Sequence, residues 1–225
     1  MTKKLLIWDF DGVIADSEKL WVKVWRDNLQ KYFNLTLDDE QASELLVGVA
    51  DKTRKERVEN KFELKLDNNF MAAIADDEIY QGTHFMEPIE GVLEIMQDEL
   101  FDNCIATGAT TEQHAWKMTR FSEIDNIIPR QYQFCVDMVE RGKPAPDLFL
   151  LAAKTKGYDK KDCMVIGDSL NDFAAAKSAG IECMAFVGAT GNNTPEYKHK
   201  CIEAGVYGVA ATMNELHQKL SAWAK

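Results

Sequence analysis

Short apolar runs alternate with longer stretches of helical spacing along most of the chain. Lys4–Trp8, Asn103–Ala106, Gln133–Val136, Cys163–Ile166 and Cys183–Val187, with a weaker run at Val206–Val209, are continuous rather than alternating. Continuous runs of this length predict strands covered on both faces. Between them, Ile89–Gln97, Thr111–Phe121, Asp147–Lys156, Asp172–Ala179 and Met213–Trp223 carry helical patterns. Thr110 with Gln113, and Thr212 with Glu215, have the spacing of a capping box at a helix start. Strand–helix alternation predicts an α/β fold: a Rossmann-like, doubly wound parallel sheet with helices on both faces.

One region interrupts the alternation. From about residue 15 to about residue 85 the chain shows helical periodicity and no strand pattern. Leu20, Trp21, Val24, Trp25, Leu29 and Tyr32 make an apolar stripe at i, i+3, i+4 spacing. Further helices are expected at Asp39–Leu46, Lys52–Phe62 and Phe70–Tyr80. The expected organisation is an α/β core from residues 1–14 and 86–225, with a helical cap inserted at 15–85.

Composition narrows the classes. A chain of 225 residues, 46% of them hydrophobic, can bury its own core without disulfides or a structural metal. Its net charge of −11 lacks the basic footprint of a general nucleic-acid binder. No apolar run approaches the ~20 residues of a membrane span, so no membrane partner is expected. The apolar stretch after Met1 meets Asp9 too soon for a signal peptide. Five scattered cysteines without a CxxC pair predict reduced, buried thiols and a cytoplasmic location. The pattern leaves the oligomeric state open.

Candidate chemistry gathers where strands end. Asp9 and Asp11 follow the first run and, in extended chain, point to the same side. Carboxylates that close repel, so a cation must sit there or one acid must hold a proton. Asp168 and Asp172 follow the Met164–Gly167 run and lie four apart at a helix start. A capping role accounts for one of these acids but not for a second acidic strand end. Oxygen ligands from two loops at one sheet edge suit a hard cation, Mg²⁺. Thr107 and Gly108, between a strand and a helix, offer a hydroxyl and free N–H groups to a phosphate. In Arg141-Gly142-Lys143-Pro144-Ala145-Pro146-Asp147, two prolines stiffen a loop whose Lys143 can neutralise a carboxylate and a phosphoryl oxygen together.

Asp-Phe-Asp-Gly-Val at 9–13, the strand-terminal Thr107, Gly-Lys-Pro-Ala-Pro-Asp at 142–147 and Gly-Asp-Ser-Leu-Asn-Asp at 167–172 resemble, in order, the four motifs of the haloacid dehalogenase (HAD) superfamily. The helical insert after the first motif resembles the subclass with an α-helical cap. The resemblance implies that Asp9 is a nucleophile forming an aspartyl-phosphate and that Asp11 is the acid and base. It implies that Thr107 and the Gly108 N–H bind the phosphoryl group and that Lys143 stabilises its charge. Asp9, the Asp11 carbonyl and Asp168 would ligate Mg²⁺, with Asp172 supporting them.

Residues 9–18 are similar to β-phosphoglucomutase and its sugar-phosphatase relatives, and Leu46-Val47-Gly48-Val49 resembles their cap substrate loop. Mutases of that type carry an arginine just after the cap glycine for a second phosphate. Here Ala50-Asp51-Lys52 fills that stretch, leaving Lys52 or Arg54 as substitutes beside Gly48. The expected function is therefore a Mg²⁺-dependent phosphatase of a small phosphorylated metabolite, a sugar phosphate or sugar-acid phosphate. The alternatives are a phosphosugar mutase and a catalytically silent binding protein. Lys52, Arg54, Lys55 and Arg57 alternate with glutamates and predict a solvated helix face. Trp21 and Trp25 suit either a substrate cleft or ordinary core packing.

Overall fold

The computed structural model describes residues 3–49, 51–189 and 191–225. Six strands form one all-parallel sheet: β1 (Lys4–Trp8), β2 (Phe101–Ala106), β3 (Gln133–Phe134), β4 (Cys163–Gly167), β5 (Glu182–Phe186) and β6 (Gly208–Ala210). Their order is β3-β2-β1-β4-β5-β6. Leu5, Leu6, Ile7 and Trp8 of β1 are all wholly buried, which is why that strand reads as one apolar run. Trp8 pairs with Ile105 of β2 on one side and with Ile166 of β4 on the other. The chain therefore leaves β1, β2 and β4 at nearly the same level. The sheet order reverses direction between β1 and β4, the position where open α/β sheets hold ligands beyond the carboxyl ends of their strands.

The chain divides into two compact units, residues up to Asp16 with Glu87–Lys225, and Ser17–Met86. The second unit is helical: α1 (Ser17–Phe33), α2 (Asp39–Leu46), α3 (Asp51–Phe62) and α4 (Asn68–Phe85). Val24, Trp25, Leu29, Leu45, Val58 and Phe70 build its own core, and Trp25 is wholly buried there. The first unit adds α5 (Val92–Met96), α6 (Thr111–Lys117), α7 (Ser122–Ile127), α8 (Asp147–Lys156), α9 (Leu170–Ala179), α10 (Pro195–Ala204) and α11 (Met213–Trp223). Leu5, Ile7, Cys104, Phe149, Val165 and Phe173 belong to one cluster beneath these helices. All five cysteines are free and buried.

The pattern reading and the structure differ at several element ends. The third strand stops at Phe134, because the Val136 N–H pairs with the Ala109 carbonyl and Val136–Met138 turns as a 3₁₀ segment. The expected 111–121 helix breaks after Lys117 into a 3₁₀ turn at Met118–Arg120. The Ile89–Gln97 helix shrinks to α5, since Gly91 at its start sits at φ 92°. The weak last strand shifts to Gly208–Ala210. Helix α10 has no clear apolar periodicity; Thr194 caps it and Pro195 opens it.

Candidate active site

Three strand ends deliver the central residues. Asp9 follows β1 directly, Thr107 follows β2 and Asp168 follows β4. The Asp9 N–H donates to the Ile166 carbonyl at 2.9 Å and the Thr107 N–H to the Phe134 carbonyl at 2.9 Å, so both backbones remain tied to the sheet. The chain then turns sharply: the Ile14 and Ala15 N–H groups both donate to the Phe10 carbonyl. Gly12 makes this turn possible. It sits at φ +78°, and a Cβ there would lie 2.1 Å from Asp168 Oδ2. No side chain fits between the first strand's loop and the fourth strand's carboxylate.

Asp9, Asp168 and Asp172 each place one carboxylate oxygen within 4.8 Å of the others. Lys143 Nζ donates to Asp9 Oδ1 at 2.7 Å and to Asp172 Oδ1 at 2.6 Å, and touches the Ala106 carbonyl at 3.3 Å. Asp172 is fully buried. Its Oδ2 accepts from the Ser169 N–H at 3.1 Å and the Ser169 hydroxyl at 2.5 Å, and the Ser169 Oγ in turn accepts the Asp172 N–H. This reciprocal cap starts α9 and fixes the acid in one step. Gly167 leaves room for it, since a Cβ there would come within 2.5 Å of Asp172 Cβ.

Charge does not balance within this cluster. Burial pushes the Asp9 carboxyl up to about 7; Lys143 offsets only part of that, and the Asp172 carboxylate adds to it. Burial likewise raises Asp168 well above the usual carboxylate range, with Asp172 and Asp9 contributing. Burial alone would lower Lys143, but the Asp172 and Asp9 carboxylates outweigh it and hold the ammonium charged. Three acids and one lysine leave an excess of buried negative charge. A hard divalent cation among their oxygens would relieve it, so the donor set fits Mg²⁺.

The remaining expected residues fall in two places. Thr107 is buried, and its Oγ1 accepts from the Ala109 N–H at 3.1 Å. Gly108 is exposed on the same turn, and a Cβ there would lie 3.9 Å from Lys143 Cε. The Asp11 side chain stands outside the three-acid group, in a two-oxygen contact with Lys117 Nζ at 2.8 and 2.6 Å. Gly48 and Lys52 belong to the helical insert. Gly48 sits at φ +72° with its N–H on Glu18 Oε1, and Lys52 is exposed. Ala50, part of the same expected loop, lies outside the described residues.

The expectation of a solvated basic face on α3 fails at one residue, Arg54, while Lys52 is exposed and Lys55 and Arg57 are half-buried. Arg54 is only 4% exposed. Its guanidinium donates to the Leu46 carbonyl, to Asp51 and to both oxygens of Glu18. A buried guanidinium needs such partners, and the insert supplies them from three segments.

Three contributors escaped the sequence reading. Lys117 looks like any lysine near a helix end. Asn192 Nδ2 donates to Asp168 Oδ2 at 2.9 Å, and the Tyr197 hydroxyl donates to the Asp168 carbonyl at 2.5 Å. Topology offered one signal for the latter pair: the polar stretch after β5 emerges at the same sheet edge as Asp9 and Asp168.

A Thermotoga maritima protein named phosphorylated carbohydrates phosphatase is 25% identical over 181 residues, covering 79% of this chain and 82% of its own. The Arabidopsis thaliana (DL)-glycerol-3-phosphatase 2 is 25% identical over 192 residues, covering 78% of this chain and 76% of its own. A crystal structure of a conserved haloacid dehalogenase-like protein of unknown function from Agrobacterium tumefaciens superposes with a TM-score of 0.86, at 22% identity over all of both chains. The model of haloacid dehalogenase-like hydrolases matches residues 6–186, so the chain belongs to the haloacid dehalogenase-like hydrolase family.

Proposed function

We propose that the protein is a Mg²⁺-dependent phosphomonoesterase that hydrolyses a small phosphorylated metabolite, a sugar phosphate or sugar-acid phosphate, through an aspartyl-phosphate. The observation that carries the reading is the Asp9–Lys143–Asp172 arrangement beside Asp168 at the sheet's switch point. The names of the phosphatase relatives support the substrate class.

In this reading Asp9 Oδ attacks phosphorus in line with the leaving ester oxygen. Lys143 holds the nucleophile and faces the incoming phosphoryl oxygens, offsetting the repulsion between two anions. Thr107 and the Gly108 N–H receive the same phosphoryl group. Asp9, Asp168 and the Asp11 carbonyl would hold Mg²⁺, with Asp172 steadying Lys143 and the loop. Bound there, the cation supplies charge neutralisation and alignment of the reacting groups. Asp11 gives a proton to the leaving oxygen and then takes one from the attacking water. The buried, free thiols favour a cytoplasmic setting.

A mutase needs a second phosphate contact from the insert after Gly48. Of the two substitutes, Arg54 is already committed to Glu18, Asp51 and the Leu46 carbonyl, which leaves Lys52 alone for that contact. The test is phosphate release from a panel of phosphorylated metabolites. Mg²⁺-dependent release that EDTA abolishes, and a loss of at least about 10³-fold in Asp9→Asn, are expected. Metal-independent turnover would overturn the site. An isomeric sugar phosphate as product would favour the mutase, no release by the wild type would leave a binding role, and equal activity in Asp9→Asn would overturn Asp9 as nucleophile.

A further inference from the structure

We propose that Lys117 is a positioning residue for the acid–base Asp11, gripping its carboxylate so that it stands beside the three-acid cluster rather than within it. The inference rests on the phosphatase reading above and assigns a second lysine to the same site.

The geometry is specific. Lys117 closes α6 with its side chain 9% exposed, and its Nζ reaches both Asp11 oxygens at 2.8 and 2.6 Å. Two short charge-assisted bonds from one ammonium fix both the position and the rotation of a carboxylate. The lysine is itself held in place. Its Nζ lies 5.9 Å from the Phe10 ring centroid and 5.8 Å from that of Trp116. Phe10, between the two catalytic aspartates in sequence, is wholly buried. It packs edge-on against His114 at 5.3 Å and Phe121 at 5.2 Å. His114 and Lys117 lie three apart on α6, so one short helix clamps the first motif twice: His114 against Phe10, and Lys117 onto Asp11. His114 is anchored in turn through Nε2 to Gln133 Oε1 at 2.7 Å.

Electrostatics supplies the reason for a second lysine. Asp9 and Asp172 share Lys143, and Asp168 brings a third carboxylate within 4.8 Å of them. A fourth carboxylate swinging toward them would add repulsion. The Asp11 side chain is 35% exposed, and Lys117 opposes its swing toward the cluster. The reaction needs Asp11 in a fixed place twice. Its proton passes to the ester oxygen as the Asp9 Oδ–phosphorus bond forms and the phosphorus–ester oxygen bond breaks. A water proton returns to it as the water oxygen bonds phosphorus and the Asp9 Oδ–phosphorus bond breaks. Small displacements of a positioned group cost rate steeply.

The experiment is a double-mutant cycle on kcat/KM with two probes: the best alkyl phosphate of the release panel, and p-nitrophenyl phosphate, whose leaving group needs little protonation. Lys117→Met should lower kcat/KM for the alkyl phosphate by about 10- to 100-fold, and for p-nitrophenyl phosphate by less. KM should hold steady. Lys117→Arg should recover part of the loss. In an Asp11→Asn background, Lys117→Met should cost less than about twofold more. A merely structural ion pair would lower both substrates equally and add fully to Asp11→Asn, and either result overturns the proposal. Wild-type rates in Lys117→Met also overturn it. If Lys117→Met does not fold by circular dichroism, the substrate contrast in Lys117→Arg decides the matter by the same criteria. Absence of Asp9-dependent phosphate release from the wild-type protein would remove the phosphatase reading and this inference together. A wild-type enzyme that works, with no substrate contrast in the variants, removes the inference alone.

Discussion

At the scale of single residues, the tightest constraint is at Gly12. Gly12→Ala adds a Cβ into the space of Asp168 Oδ2 and places it at a left-handed φ. Both effects push Asp168 away from Asp9. The expected outcome is at least about a tenfold loss of Mg²⁺ affinity by calorimetry, a size typical when a ligand's support is disturbed. Asp9→Asn makes the opposite kind of change. It removes one buried anion from a cluster with too many, so the metal-free variant should melt above the wild type at pH 8 while losing activity. The sign with pH follows from the raised carboxyls. Folded Asp9, pushed up to about 7, binds a proton that the unfolded chain has released above its ordinary value of 3.8. This contribution therefore weakens the metal-free fold as pH climbs from about 4 to about 7. Melting temperatures in EDTA should fall across that window more steeply for wild type than for Asp9→Asn.

Among the elements, α9 shows how one local device serves both folding and chemistry. Ser169 caps the helix and holds Asp172 through the same hydroxyl. Ser169→Ala should cost about 1 kcal/mol, lowering Tm by about 2–4 °C, and should loosen the Lys143–Asp172 contact, visible as reduced kcat. Much of this was legible in the sequence. The β1 and β4 patterns are strong because strands buried on both faces are largely apolar. Asp9 and Asp168 stood out because charged groups at the ends of such strands have no packing reason to be there, and Lys143 because two prolines stiffen its loop. Lys117 and Arg54 were not legible. A buried cation and a solvated one share the same letter, and only the folded chain shows that Asp11 and Glu18 await them. The end of α6, the short α7 and the end of β3 escaped for a related reason: turns of one or two hydrogen bonds are set by partners distant in sequence, such as Ala109 for Val136.

For the molecule as a whole, a cation held by the three-acid cluster would tie metal binding to proton release. Asp9 and Asp168 must both be ionised to hold a cation, and burial holds both carboxyls up. Mg²⁺ affinity should therefore be clearly weaker at pH 6 than at pH 8, with protons released on binding at the lower pH. Calorimetry in buffers of different ionisation enthalpy measures both quantities. Affinity that does not change with pH would contradict the burial argument. The same cation should raise Tm more at pH 8 than at pH 6, because the repulsion it relieves is larger there. Among the described residues, no helix is long and apolar enough to cross a membrane. The five cysteines carry a last consequence. Cys104, Cys163 and Cys183 lie in adjoining or central strands of the sheet, and burial raises all three thiols. A bulky disulfide reagent can reach them only when the core cluster they share with α8, α9 and α10 opens. The native chain thus carries its own clock: the rate at which these sulfurs are labelled, with and without Mg²⁺, times how often that core opens.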